Sequence, residues 1–239
     1  MIFKPHDFLE CLISGLKYLP NTLLMTFIPV ITGLIIGAFV AILQLYRVKC
    51  ISQLLSIIVT IYNGIPFVLT LMLLNTFYTL NFNKIAKILH INADITTVNK
   101  IWIGIIVLSL MDIALMSEAL RGAFESINKF QYEAGYSIGL TTFQTLRRII
   151  IPQVIPLAVP ILINNITLVL KTSAIAFSLG IFEVYNGSIL PCNITYSFLE
   201  GYVAAGIIFW MLSIIIESIG RIIEQNSSKF NKNIVKGGV

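Results

Sequence analysis

The sequence predicts an all-α integral membrane protein with five transmembrane helices. Of its 239 residues, 57% are hydrophobic and only 11% are charged, whereas charged residues make up about a quarter of an average soluble chain. The charges are also clustered. Tyr18 to Tyr46 and Cys50 to Asn83 contain no Asp, Glu, Lys or Arg, and a spanning helix needs only about 20 predominantly apolar residues. A mean hydropathy of +0.90 agrees.

Residues 1–18 form an amino-terminal segment. Phe8, Leu9, Leu12, Ile13 and Leu16 recur at helical spacing between charged residues, which predicts either a short helix in the membrane interface or an extension of the first span. Asp7 and Glu10 interrupt this region, and no small-residue cleavage pattern follows. A cleavable signal is therefore not expected, and Leu19 onward should remain as an anchor. Apolar runs then place spans at Leu19–Leu43, Leu54–Leu80, Ile101–Leu120, Pro156–Gly180 and Gly201–Ile223. Together they make a membrane domain over residues 19–223, followed by a tail at 224–239. Pro29 should bend the first span.

An odd number of spans puts the termini on opposite sides. Loops rich in Lys and Arg tend to stay cytoplasmic. One face collects ten basic residues, Arg47, Lys49, Arg121, Lys129, Arg147, Arg148, Arg221, Lys229, Lys232 and Lys236; the other has five, Lys4, Lys17, Lys84, Lys87 and Lys100. The amino terminus is thus expected outside and the carboxyl terminus in the cytoplasm. The net charge of +5 follows this partition and gives no reason to expect nucleic acid. Cys11, Cys50 and Cys192 fall in separate regions without metal-ligand spacing, so they read as small packing residues and no metal is expected.

The loop from residue 121 to residue 152 is long and polar enough to hold structure of its own. Phe130 to Ile138 reads as one short helix, Gly139 breaks it, and Thr141 opens a second with Gln144 three residues on, as in a capping box. A helix–glycine–helix elbow in the cytoplasm offers a docking surface; a loop folded back on the membrane is the other reading.

The spacing of this loop resembles a known motif. Glu133-Ala134-Gly135, then Gly139, then Ile149, Ile151 and Pro152 are similar to the EAA loop of ABC importer permeases, which runs E-A-A, three residues, G, nine residues, I-x-L-P. Gly135 stands where a second alanine is usual, and Ile151 replaces leucine. Glu118-Ala119-Leu120-Arg121-Gly122-Ala123 resembles the E-x-x-R-G-A segment of the polar amino acid branch of that family, Gln131-Tyr132-Glu133-Ala134 its G-Q-x-E-A-A, and Pro152-Gln153 its L-P-Q. Asn63-Gly64-Ile65-Pro66 is similar to R-G-x-P with Asn63 for arginine. Lys171-Thr172-Ser173-Ala174-Ile175-Ala176 is similar to K-D-T-S-L-A with Thr172 for aspartate.

The resemblance implies a type I ABC importer permease, pairing with a second copy or a close relative and bound to two ABC ATPase subunits. An extracytoplasmic binding protein would deliver the amino acid substrate. ATP and Mg would belong to the ATPase, leaving this chain without a cofactor or catalytic residue. Glu133, Ala134, Gly135, Gly139, Ile149 and Pro152 would couple the two subunits. The same resemblance implies a multi-pass protein of the bacterial cytoplasmic membrane, surrounded by lipid.

Charges within a membrane are costly, about 2.5 to 3.5 kcal/mol each at a helix centre on insertion scales. Glu118 is expected to pair with Arg121 along one helix face. Asp112 and Lys171 lack an opposite charge within a helical turn of their own spans. Either they pair with each other between spans, or they meet the ammonium and carboxylate of an amino acid. Asn63, Thr172 and Ser173 complete the candidate substrate path, with Asn164 and Asn165 as further hydrogen-bonding groups. An embedded enzyme is disfavoured because His6 and His90 lie outside the spans and no phosphate-binding glycine loop occurs. A permease for another small solute, or a secondary transporter, remains as an alternative.

Overall fold

The fold was obtained as a computed structural model that describes residues 3–88, 90 and 99–236, with side chains as far as 226. The tail lysines Lys229, Lys232 and Lys236 lie beyond the described side chains. Among the described residues every regular element is helical.

The amino-terminal segment is a helix of its own, α1 (Pro5–Lys17). Pro5 opens it, where the missing N–H is no loss, and it stops at Tyr18, where φ −98° and ψ 5° leave the helical region. Cys11 and Gly15 face inward, while Leu9, Ile13 and Leu16 are exposed. The break at Tyr18 makes α1 a helix separate from α2 and not a continuous extension of the first span.

The first span, α2 (Leu19–Leu45), follows at once. The second apolar run does not form a single continuous helix. It breaks into α3 (Ile51–Gly64) and α4 (Phe67–Ile88), which meet at 106°. Pro66 supplies no N–H and forces Ile65 into extended geometry, φ −96° and ψ 130°.

The third span, α5 (Ile101–Glu125), is central, with more than half of its residues buried. Its tightest partner is α2. Gly33 and Gly37, four residues apart, bring α2 onto α5, because small residues let helix backbones approach closely where lipid supplies no hydrophobic drive. A Cβ on Gly33 would collide with the Asp112 carboxylate, and one on Gly37 would sit 2.8 Å from Met116 Cβ.

Next come α6 (Lys129–Ser137), α7 (Thr142–Thr145) and a π-helical stretch from Leu146 to Ile150 that runs into α8 (Ile151–Ser173). Pro152 removes the donor that the Arg148 carbonyl would otherwise meet, and a wide turn accommodates the loss. The Gln153 side chain donates instead to the Ile149 carbonyl at 2.9 Å. After α8 a 3₁₀ turn carries the chain to Gly180, which caps it at φ +70°.

Two short helices, α9 (Val184–Ile189) and α10 (Cys192–Thr195), lead into the last span, α11 (Phe198–Lys236). Here α1 packs on α9 and α11. Cys11 and Cys192, read from sequence as unrelated packing residues, meet with their sulfurs 3.6 Å apart.

Glu183 caps α9 and is fully buried. Its carboxylate accepts from the backbone N–H groups of Tyr185 at 2.9 Å and Asn186 at 3.0 Å. Burial outweighs these bonds and pushes the carboxyl up to about 7 from an ordinary 4.5. The folded state therefore holds its proton more tightly than the unfolded chain. Stability from this group is complete below about pH 4.5 and lost as pH rises through about 7, at up to about 1.4 kcal/mol per pH unit. The unfolding midpoint of the purified protein should accordingly fall between about pH 5 and pH 8, and Glu183→Gln should remove that portion of the slope. An unchanged slope in the variant would assign it to another group.

Candidate coupling elbow and substrate path

The elbow is built by local rules. Asn128 caps α6, its side chain accepting from Phe130 N–H at 3.0 Å. Gly139, at φ +80°, ends it in a left-handed turn that glycine adopts with least strain. Leu140 N–H donates to the Gly135 carbonyl at 3.1 Å and Gly139 N–H to the Tyr136 carbonyl at 3.0 Å, the paired bonds of a Schellman cap. Thr141 and Gln144 then form a reciprocal capping box at 2.9 and 3.3 Å.

The two arms of the elbow lean on each other through Gly135. A Cβ there would meet Thr145 at 2.7 Å and Ile149 at 3.2 Å, so glycine at this position allows the arms to close. Gln153 bonds Gln131 at 3.3 Å across the same joint. Beneath it, Leu120, Phe124, Leu146, Ile150 and Val154 form a buried apolar cluster joining elbow to spans. Glu133 and Ala134 stay exposed. Around them stand Phe130, Ile138 and Phe143, which are 71%, 74% and 68% exposed. Apolar side chains held rigidly outward on a polar loop are what a protein-docking surface presents.

The candidate substrate residues do not converge on one point. Asn63 lines a cavity of about 300 Å³ at the break between α3 and α4, with Tyr62, Pro66, Phe67, Met111 and Leu115. Broken helices are where membrane transporters expose backbone polar groups to a solute. Asp112, beside Met111, turns the other way. It is fully buried and accepts from Asn165 Nδ2 at 2.6 Å, while its second oxygen faces Gly33 without a hydrogen-bond partner. Its inter-span partner is thus an amide, not Lys171, which is exposed and forms no ion pair among the described residues. The Thr172 and Ser173 hydroxyls donate back to their own helix, to Leu168 and Leu170 carbonyls at 2.8 and 2.7 Å.

The Glu118 pairing is also corrected. Arg121 bonds Glu125 at 3.0 Å, one turn further on, and Glu118 is exposed. A larger polar cleft of about 710 Å³ includes Arg47, Lys49, Arg121 and Glu125. Arg121 and Glu125 place it at the end of α5 that leads into the elbow, and it shares no lining residue with the break cavity. Sequence reasoning overlooked the close helix contact at Gly33 and Gly37, although two glycines four apart in an apolar run are its signal. No sequence signal joins Cys11 to Cys192.

A helical protein with several apolar spans and a capped helix–glycine–helix elbow at one end has the form of a transport permease. Residues 33–229 match the family described as binding-protein-dependent transport system inner membrane component. The chain is 30% identical over 214 residues to the probable amino-acid permease protein YxeN of Bacillus subtilis (strain 168), covering 90% of this chain and 91% of that one. It is 29% identical over 219 residues to the L-cystine transport system permease protein TcyL of the same organism, covering 91% and 89%. Its fold is similar to that of a chain in the crystal structure of an amino acid ABC transporter with histidines, with TM-score 0.80 at 23% identity, 95% of this chain and 100% of that one being covered. An inward-facing MetNI methionine ABC transporter gives TM-score 0.71 at 20% identity, with 90% and 96% covered. The chain belongs to the family of binding-protein-dependent transport system inner membrane components, and it is a multi-pass permease of the ABC importer class.

Proposed function

We propose that this permease imports polar amino acids, with its amino terminus outside and its elbow in the cytoplasm. The elbow carries the reading: Gly139 and the Schellman cap hold Glu133, Phe130, Ile138 and Phe143 outward as one rigid surface. Each elbow seats in an ABC ATPase subunit that binds ATP and Mg, so that closure of the ATPase pair moves the spans as bodies. A second permease copy or a close relative completes the pathway, and an extracytoplasmic binding protein supplies the solute. The ten-to-five division of basic residues supports the orientation. The substrate class is supported by the similarity to the amino-acid and cystine permeases.

Within the path, Lys171 meets the substrate carboxylate and Asn63 lines the route past the α3–α4 break. Because Lys171 is exposed and forms no ion pair among the described residues, Lys171→Met leaves no buried charge behind. The assembled complex, reconstituted in vesicles with its ATPase and binding protein, should lose amino acid uptake by about 10- to 100-fold. That corresponds to a charge-assisted contact of about 1.5–3 kcal/mol, with assembly and basal ATP hydrolysis retained. Full uptake in the variant would remove Lys171 from the path, and uptake without ATP would refute the importer.

A further inference from the structure

We propose that Cys11 and Cys192 are joined by a disulfide bond that fastens α1 to the loop between the last two spans. The two sulfurs lie 3.6 Å apart although their residues are separated by 181 positions. Both side chains are fully buried, enclosed with Ala204, Phe8, Leu12 and Ile189 in a small apolar cluster. A disulfide holds its sulfurs at about 2.05 Å, so closure requires a movement of about 1.5 Å.

The surrounding contacts already hold the two segments in register. The Lys4 N–H donates to Glu200 at 2.8 Å, Ser14 Oγ donates to the Gly187 carbonyl at 2.7 Å, and Ser197 bonds Asp7. Among the described residues no three His, Cys, Asp or Glu side chains gather as metal ligands, so a zinc thiolate site is not the competing explanation. The third cysteine, Cys50, is exposed at the other end of α2.

The inference rests on the orientation proposed above, which puts both thiols in the oxidising space outside the membrane. The oxidant is a protein disulfide of that compartment. One cysteine thiolate attacks a sulfur of that disulfide and forms a mixed disulfide, releasing the first partner thiolate. The second cysteine thiolate then attacks the chain's own sulfur in the mixed bond and expels the other. Two cysteine thiols and one partner disulfide become one chain disulfide and two partner thiols, the two cysteine protons passing to the released thiolates.

In the finished fold burial raises the Cys11 thiol well above its ordinary value, which makes it a poor nucleophile. Exchange therefore precedes docking of α1, and the completed bond is sealed from reductants. The bond keeps α1 seated on α11 with Leu9, Ile13 and Leu16 on its exposed outer face.

The test counts free thiols. Membranes from the cells that naturally make the protein are denatured with a polymer-linked maleimide, with and without prior reduction. The chain has three cysteines. Wild type should show one adduct unreduced and three after reduction, and Cys11→Ser and Cys192→Ser should each show two adducts under both conditions. In parallel, a membrane-impermeant maleimide applied to intact cells should leave Cys50 unlabelled. Three adducts on unreduced wild type with Cys50 shielded would overturn the disulfide and leave the orientation standing. Labelling of Cys50 from outside would overturn the orientation and, with it, the oxidising location on which the disulfide rests.

Discussion

Gly139→Val should leave the spans inserted but strip the ATPase subunit from the complex and abolish ATP-coupled uptake. Gly139 sits at φ +80°, where an L-residue is strained by roughly 1–2 kcal/mol and a β-branched one is a conformational outlier. To relieve the strain the turn must open, which breaks the bonds from Leu140 to Gly135 and from Gly139 to Tyr136. The arm bearing Glu133 then loses its fixed angle to the arm bearing Phe143. No heavy atom stands within 4 Å of a Cβ at this glycine, so the effect is one of backbone geometry, and no core contact is disturbed. Glu133→Lys should act at the same surface by reversing a charge-assisted contact. Lys84→Ala, on α4, should be neutral. The measurement is co-purification of the ATPase in detergent together with coupled uptake. Retention of both in Gly139→Val would mean that this loop is not the docking element.

Gly37→Leu should prevent the protein from accumulating, because it strikes the most extensive helix pairing among the described residues, that of α2 with α5. A Cβ on Gly37 would lie 2.8 Å from Met116 Cβ, 3.0 Å from the Ser117 backbone nitrogen and 3.2 Å from the Ile113 carbonyl oxygen. Two of these are backbone atoms and cannot rotate away, so α2 and α5 must separate. Gly37→Ala alone should lower stability by about 1–3 kcal/mol, the usual range for overpacking. Gly33→Ala should be damaging for a second reason, since its methyl group would displace the Asp112 carboxylate that Asn165 holds. Gly206→Ala, where no heavy atom lies within 4 Å, should be neutral or stabilising by about 0.5–1 kcal/mol through helix propensity. Thermal unfolding in detergent checks the series. A wild-type midpoint for Gly37→Ala would show that the two helices do not meet at this glycine.

Composition and local chemistry were enough to reveal the apolar segments, the separate character of residues 1–18 as one of two readings, and the elbow. Transfer into a membrane depends on apolarity summed along a segment. Helix caps depend on residues within a turn of one another. Thr141, Gln144 and Gly139 therefore announced the elbow without reference to any distant part of the chain. The break after Gly64 was partly legible, since Pro66 was visible inside the second run. Yet length and apolarity favoured one unbroken helix, and only the bend of 106° separated α3 from α4.

Other features became visible only with the tertiary structure. Asp112 chooses Asn165, Arg121 chooses Glu125, Gly33 and Gly37 receive α5, and Cys11 meets Cys192. Three of these join helices far apart in the chain, and they depend on how each helix is rotated and crossed against its neighbours. In a soluble helix the polar face reveals that rotation. In a span that is apolar on every side lipid and protein interior look alike to the sequence, so the buried face is chosen by packing and leaves little trace in the pattern of residue types.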